Sequence, residues 1–401
     1  MEKVYIIDGL RTPIGSFLGS LKTLPAPQLG AAVIKALLEK NRVNGADLDA
    51  VIAGNVLSAG AGMGPARQAS IGGGVPVEVP AYSLNMLCSS GMKAIMTAMS
   101  EIMAGNAGMI IAGGIESMSN APFIAPAKLR LGSKMGDISL SDYMLFDGLT
   151  DAFNNYHMGI TAENIAEMHR ISREAQDEFA LCSQQKAIKA VDAGEFKDEI
   201  VPLNVVDGKN AFTFDTDEYP NRTTNAEKLA KLRPAFKSDG TISAGNSAGI
   251  NDGAAFVIVA GEAAVNKFKL TPKAEIVSCG QAGIDPKIMG LGPVQAIARA
   301  LDKAGLKLGD MEFIELNEAF AAQSLGVIRE LSKNHGESEA AIIERCNVNG
   351  GAIALGHPLG CTGARISITL LNILKKRKAQ YGLASLCAGG GMGTALVIRN
   401  I

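Results

Sequence analysis

The sequence predicts a duplicated α/β fold, in which two similar halves layer helices on a sheet and flank an insert of different texture. Three observations predict it. Segments near the start recur in the same order near the end, each copy alternates β-branched runs with longer amphipathic patterns, and the residues between the copies carry most of the polar and charged runs.

The recurrence is specific. Ala32, Ala36 and Leu37 fall on Ala296, Ala300 and Leu301 at a shift of 264, and the stretch 47–52 falls on 310–315 at a shift of 263. Asn55 corresponds to Asn317, Ser89-Ser90-Gly91 to Cys361-Thr362-Gly363, and Ile111-Ala112-Gly113-Gly114 echoes Leu386-Cys387-Ala388-Gly389-Gly390. Ordered matches of this kind point to a repeated unit rather than chance.

Within the first copy, periodicity gives a strand at 4–7, a helix around 27–39, a strand at 50–53, a helix at 89–103 and a strand at 109–112. In the helix at 89–103, Ile95, Ala98, Met99 and Ile102 recur at helical spacing and form a buried stripe, with methionines as core filler. Short strands alternating with helices imply α/β layers around a mixed sheet. The apolar run 250–259 returns to strand texture and completes the first half. The expected organisation is a first half at 1–120 plus 249–269, an insert at 121–248 covering a site built by the halves, and a second half at 270–401.

A chain of 401 residues exceeds what one hydrophobic core usually organises, which suits a duplicated architecture. With 38 basic against 40 acidic residues there is no field to attract a polyanion or a membrane surface, so nucleic acid and membrane are excluded as partners. The first apolar run is too short for a signal peptide and no stretch has the length of a membrane helix, so a cytoplasmic protein is expected. Six cysteines without regular spacing read as reduced thiols, and the absence of paired Cys/His spacing argues against a metal.

Glycine is the compositional outlier, at 46 residues, and it clusters beside reactive side chains at 349–360 and 387–393. Such loops bring backbone amides close to a ligand. Neither cluster closes with Gly-Lys-Ser/Thr or carries Gly-x-Gly-x-x-Gly between strand and helix, which excludes the common phosphate and dinucleotide loops. Cys88 stands at the start of the helix at 89–103, where free amides and the positive helix end are expected to lower its thiol pKa. Cys387 precedes three glycines that leave room for a substrate. Cys182, Cys279, Cys346 and Cys361 read as structural thiols. Of four histidines, His169 and His335 read as surface residues, whereas His357, fixed between Gly356 and Pro358, is the best candidate for a catalytic imidazole.

Taken together, the segment 85–94 around Cys88, Gly113-Gly114-Ile115-Glu116-Ser117-Met118-Ser119, Asn317-Glu318-Ala319-Phe320, the loop 349–363 around His357 and the segment 387–393 closely resemble the thiolases over the whole chain. The resemblance implies the thiolase fold, a duplicated five-layered α/β/α/β/α core with an inserted loop domain, in a homotetramer. It implies reversible Claisen condensation of two acetyl-CoA to acetoacetyl-CoA and coenzyme A, with coenzyme A thioesters as substrates and no resident cofactor. Cys88 would be the acyl-carrying nucleophile, His357 its proton acceptor and an oxyanion donor, and Cys387 the acid/base. Asn317 would hold an oxyanion-stabilising water, and the amides of Cys88 and Gly389 would form a second oxyanion hole. Positions resembling coenzyme A contacts are Leu149, His157, Met158, Ala244, Ser247, Met289, Ala319 and Phe320, with Arg222 near the coenzyme phosphates. Where many relatives read Asn-Ala-Ser-Gly, this chain reads Asn246-Ser247-Ala248-Gly249, displacing the hydroxyl by one position. A longer-chain 3-ketoacyl-CoA thiolase and a ketoacyl carrier-protein synthase-like condensing enzyme are the alternatives, with a non-catalytic acyl-CoA-binding protein as the reading from another class.

Overall fold

The first half is built on Val4–Arg11 (β1), Ala50–Gly54 (β2), Ala81–Leu84 (β3), Met109–Ser117 (β4) and Asn251–Gly261 (β5), paired in the order β1-β5-β4-β2-β3. The structure, a computed structural model, describes residues 2–401. Strand β5 runs antiparallel to β1 and β4, whereas β4, β2 and β3 are parallel. In the second half, Ala274–Gly283 (β6), Phe313–Leu316 (β7), Tyr381–Ala388 (β8) and Met392–Asn400 (β9) repeat this as β6-β9-β8-β7, with matching directions.

Even the irregularities repeat. The register breaks between Ile6 and Asp8 in β1 and again between Ile276 and Ser278 in β6. Val51 pairs with Ala81 of β3, while its counterpart Ile314 pairs with Cys346 in a single bridge, so the fifth strand of the second half has shrunk to one residue. The halves join where β1 meets β6, through Tyr5–Glu275 and Ile6–Ala274.

The helices that matter here are Ala26–Asn41 (α1), Pro65–Gly72 (α2), Ser90–Met103 (α3), Met158–His169 (α4), Arg173–Asp192 (α5), Gly292–Ala304 (α6), Ala321–His335 (α7) and Leu359–Arg377 (α8). Alternation along the strands assigns them to layers. Ala255, Val257 and Val259 of β5 pack against α3 and α8, while Phe256 and Ile258 face Leu29, Val33 and Leu37 of α1. Ala384 and Leu386 of β8 likewise face α3 and α8, and Leu383 faces Ile297 of α6 and Ile328 of α7. The result is five layers: α1 with α2, a sheet, α3 with α8, a sheet, and α6 with α7. Strands covered on both faces become continuous apolar runs, which is why 250–259 reads that way. Ile95, Ala98, Met99 and Ile102 are buried in the middle layer.

The insert carries α4 and α5 and is tied to β1 by a buried cluster. Arg11 Nε donates to Glu199 at 2.7 Å and its two terminal nitrogens donate to Asp217 at 2.7 and 2.8 Å. His169, read from the sequence as a surface residue, has a side chain only 9% exposed, 3.8 Å from Glu330 on α7. Among the described residues no helix is long and apolar enough to cross a membrane.

Candidate active site

The turn before α3 is held by its own polar side chains. Asn85 Oδ1 accepts from Leu87 N at 2.8 Å, and Ser90 Oγ accepts from Met86 N at 2.8 Å while donating to the Leu87 carbonyl at 2.6 Å. These bonds hold Leu87 in the left-handed region at φ 51°, an uncommon conformation for a leucine, and set Cys88 one residue before the Ser89 cap. The sulfur is enclosed but keeps part of its surface open to a cavity of about 490 Å³. Burial pushes the Cys88 thiol up to about 11, opposed by the amides of Gly389 and of Cys88 itself. This corrects the sequence expectation of a lowered thiol pKa: two amides without a neighbouring cation do not offset the loss of solvation.

His357 follows the short helix Ala352–Leu355. Gly356 turns the chain at φ 100°, and a Cβ there would sit 2.4 Å from Asn251 Cγ, so the position admits only glycine. Asn251 Oδ1 accepts the His357 amide at 2.9 Å. The ring nitrogen Nδ1 lies 2.7 Å from Thr362 Oγ1, and that hydroxyl donates to the Pro358 carbonyl at 2.9 Å. With its single proton spent on Pro358, the hydroxyl accepts from Nδ1–H, which leaves Nε2 as the acceptor of a neutral ring. Burial first, and Arg365 second, lower the imidazole to about 3.

Cys387 is the next-to-last residue of β8 and is fully buried among Met158, Met289 and Phe320. Burial raises its pKa strongly, and the charge of Cys88 raises it further, which marks the two sulfurs as neighbours that resist ionising together. Asn317 ends the ladder of β7, its amide donating to the Ser385 carbonyl at 3.0 Å. Its buried side-chain oxygen and nitrogen have no protein partner. Glu318 fixes the loop beyond, accepting from Ser183 Oγ at 2.6 Å and Asn347 Nδ2 at 2.7 Å.

Cys88, His357 and Gly389 line the cavity, as do Leu149, His157, Met158, Ala244, Ser247, Met289, Ala319 and Phe320. The Ser247 hydroxyl donates to the Ser243 carbonyl at 2.7 Å, and the residue bridges to Phe320, joining the 246–249 loop to the Asn317 loop. Arg222 is the exception. It lies outside the lining, on the exposed surface, where it holds Asp192 at the end of α5 through contacts of 2.6 and 3.1 Å. The guanidinium that the resemblance sets near the coenzyme phosphates thus rests in an exposed ion pair.

Residues that the sequence reading did not single out also line the cavity, among them Phe17, Ala235 and Phe236. Phe236 stacks on His157 with centroids 4.5 Å apart and meets Phe320 edge-on at 6.1 Å. A lone aromatic in the charged run 228–237 was the available signal. His157 Nδ1 accepts from Gly159 N at 3.0 Å and caps α4, and burial lowers its pKa. Among the described residues no group of three or more His, Cys, Asp or Glu is placed to hold a metal ion.

Two family models match the chain, one after the other. The family model described as "Thiolase, N-terminal domain" matches residues 4–263, and "Thiolase, C-terminal domain" matches 270–400. The chain is 52% identical over 401 residues to an acetyl-CoA acetyltransferase of Pseudomonas aeruginosa, and 49% identical over 401 residues to one of Escherichia coli, covering all of both chains in each case. Among solved structures, an acetyl-CoA acetyltransferase of Bacillus anthracis superposes with a TM-score of 0.95 at 40% identity. Human mitochondrial 3-ketoacyl-CoA thiolase does so with a TM-score of 0.94 at 44% identity, and each superposition covers 100% of this chain and 99% of the other.

Proposed function

The chain belongs to the thiolase family, and from that premise we propose that it is an acetyl-CoA acetyltransferase, joining two acetyl-CoA into acetoacetyl-CoA and free coenzyme A, reversibly. The observation that carries the reading is that Cys88, His357 and Gly389 line one cavity, with the unprotonated Nε2 of His357 free of any protein partner.

His357 Nε2 takes the Cys88 proton as the sulfur attacks the thioester carbonyl. The bond from carbonyl carbon to coenzyme sulfur breaks, and the proton leaves on that sulfur. A neutral base beside a thiol raised to about 11 is what this step needs, because His357 activates the sulfur only at the moment of attack. The Cys88 and Gly389 amides stabilise the tetrahedral oxyanion, and loss of one such donor costs about 3 kcal/mol.

In the second step Cys387 lends its thiol proton to the freed His357 Nε2, which returns it when the cycle closes, and as thiolate it removes a methyl proton from a second acetyl-CoA. The enolate carbon attacks the Cys88 thioester, the carbon–sulfur bond to Cys88 breaks, and the proton held by Cys387 restores the Cys88 thiol. Burial is the main cause of the raised Cys387 thiol and the Cys88 charge the lesser, so a Cys88 held as a neutral thioester cannot ionise against the Cys387 thiolate while it works. The enolate oxygen is met by protonated His357 and by a water on Asn317, whose buried amide has both polar atoms available. The pantetheine arm runs along Met158, Met289, Phe320 and the stacked His157–Phe236 pair. The coenzyme A thioesters are substrates, and the scheme calls on no resident cofactor.

The decisive experiment is exchange of acetyl-CoA methyl protons into deuterated water. Wild type exchanges, and Cys387→Ser loses exchange while still forming the Cys88 acyl-enzyme; exchange at the wild-type rate would overturn the role of Cys387. Thiolysis of acetoacetyl-CoA against longer 3-ketoacyl-CoA substrates tests the chain-length assignment. A homotetramer belongs to the same reading. It is supported by apolar side chains in the insert, such as Leu131 at 89% and Met135 at 96% exposure, and by β3 standing at a sheet edge. Sedimentation gives the state, and cell fractionation tests the cytoplasmic location.

A further inference from the structure

One buried carboxylate outside the cavity lining holds two segments that pack around the nucleophile. Glu116, the next-to-last residue of β4, is fully buried, and its oxygens accept four hydrogen bonds from neutral donors. Oε1 accepts from Asn55 Nδ2 at 2.9 Å and from Leu57 N at 3.1 Å, and Oε2 accepts from Val56 N at 3.1 Å and from Gly360 N at 2.8 Å. Three of these donors lie in the loop after β2, in the first half, and the fourth lies in the first turn of α8, in the second. Leu57 and Leu359, carried by the two tethered segments, pack in one apolar cluster against which Cys88 rests.

The tethered turn is the one that sets the imidazole. Its Pro358 carbonyl accepts from Cys361 N and Thr362 N at 3.0 Å each and from Thr362 Oγ1 at 2.9 Å, and the same Thr362 hydroxyl holds His357 Nδ1. The helix comes close enough to β4 because Gly360 carries no side chain: a Cβ there would sit 2.7 Å from the Ile115 carbonyl oxygen. The internal repeat gives the contact its meaning. At the shift of 272 that lays Ser89-Ser90-Gly91 on Cys361-Thr362-Gly363, Gly360 falls on Cys88. In the first copy the amide at this position serves the proposed reaction as an oxyanion donor. In the second copy the amide is filled from within, because the Glu116 carboxylate takes the place an anion would occupy at the start of α8.

We propose that Glu116 is a positioning residue for His357: by capping the first turn of α8 at Gly360 and tying it to the 55–57 loop, it holds the imidazole where Nε2 reaches the Cys88 proton. The inference rests on the reading of His357 as the proton acceptor of Cys88. A carboxylate can do this where an amide cannot, because both of its oxygens accept and all four facing groups donate.

The test is steady-state thiolysis of acetoacetyl-CoA at about pH 8.5, where the wild-type carboxyl, raised by burial to about 7, is ionised, with urea unfolding of each variant beside it. Glu116→Gln keeps the shape, but its NH2 faces two of the four donors whichever way it turns. Unpairing buried donors in this turn should lower kcat about tenfold or more, while KM stays within about twofold because Glu116 does not line the cavity. Asn55→Asp added to that variant gives the NH2 an acceptor and turns the glutamine oxygen toward Gly360 N and Val56 N, so kcat should return to within about threefold of wild type. Glu116→Asp keeps the charge and shortens the reach by one methylene. It should lower kcat about threefold or more at unchanged KM, and it carries the test if Glu116→Gln does not fold.

Three results overturn the proposal. Folded Glu116 variants with wild-type kcat make the residue a support of the fold alone, whatever their urea midpoints. A KM that rises as much as kcat falls means that the cavity itself is distorted. A kcat loss in Glu116→Gln that a folded double variant with Asn55→Asp does not recover means that the match of donors to acceptors does not position the turn. His357→Asn separates the two layers of inference. If that variant keeps the wild-type kcat, the reading of His357 itself fails; if its kcat falls and adding Glu116→Gln lowers the residual rate as much as it does in wild type, the carboxylate does not act through the ring and the positioning role alone fails.

Discussion

Thr362 holds His357 in one tautomer: its hydroxyl sits 2.7 Å from Nδ1 and donates its own hydrogen bond to the Pro358 carbonyl at 2.9 Å. Thr362→Val keeps the shape but leaves Nδ1–H buried without an acceptor. Such a loss costs about 1–3 kcal/mol, enough to lower kcat about five- to 150-fold. Thr362→Ser restores most of the rate. Steady-state thiolysis of acetoacetyl-CoA checks both variants, and a valine variant of wild-type kcat would show that the hydroxyl does not set the ring.

Reactivity of Cys88 should track its raised pKa. Because burial holds the thiol protonated up to about 11, the alkylation rate keeps climbing as pH rises past 9, the ordinary value for a thiol, and levels only near 11. A plateau near pH 7 would mean that a preformed thiolate–imidazolium pair exists, contrary to an imidazole lowered to about 3. The pH profile of iodoacetamide modification, read at Cys88 by peptide mapping, distinguishes the two.

The parts of this architecture that were legible in the sequence are those fixed by local pattern. The repeat, the strand at 50–53 and the stripe Ile95, Ala98, Met99 and Ile102 follow from periodicity alone, and the structure carries the duplication further into matching register breaks at Ile6/Asp8 and Ile276/Ser278. What the sequence could not show depends on tertiary approach. The helix start at Cys88 suggested a lowered thiol pKa, but burial in the folded protein raises it, and the Gly389 amide, some three hundred residues on, only partly opposes that rise. Phe236 reads as part of a charged run until the fold lays it on His157. Likewise, nothing in the sequence marks Arg222 as the partner of Asp192, thirty residues earlier.

That contrast between Phe236 and Arg222 is directly testable. Phe236→Ala removes a stacked pair and part of the cavity wall, and aromatic pairs contribute about 0.5–1.5 kcal/mol beyond their area. KM for acetoacetyl-CoA should rise about twofold to tenfold, with kcat changed less. Arg222→Ala removes only an exposed ion pair, whose contribution is small, and should leave KM for coenzyme A unchanged. A large rise in that KM would return Arg222 to the coenzyme site.

The middle layer rests on two equivalent glycines. A Cβ on Gly91 of α3 would meet the Gly360 carbonyl oxygen at 2.8 Å and Ala364 N at 2.9 Å, and a Cβ on Gly363 of α8 would meet Met92 N at 2.4 Å. Each obstacle is backbone of the opposite helix, so neither can yield by a rotamer change. Gly91→Ala and Gly363→Ala should each destabilise the fold by about 1–3 kcal/mol or more, the range for overpacking. Because both force the same two helices apart, the double variant should cost less than the sum of the singles, as expected for sites sharing one contact. Urea unfolding at constant slope measures all three. Gly91 lies three residues beyond Cys88, so its alanine variant should also lower kcat more than Gly363→Ala does; equal kcat losses would mean that the helix crossing supports stability without setting the nucleophile.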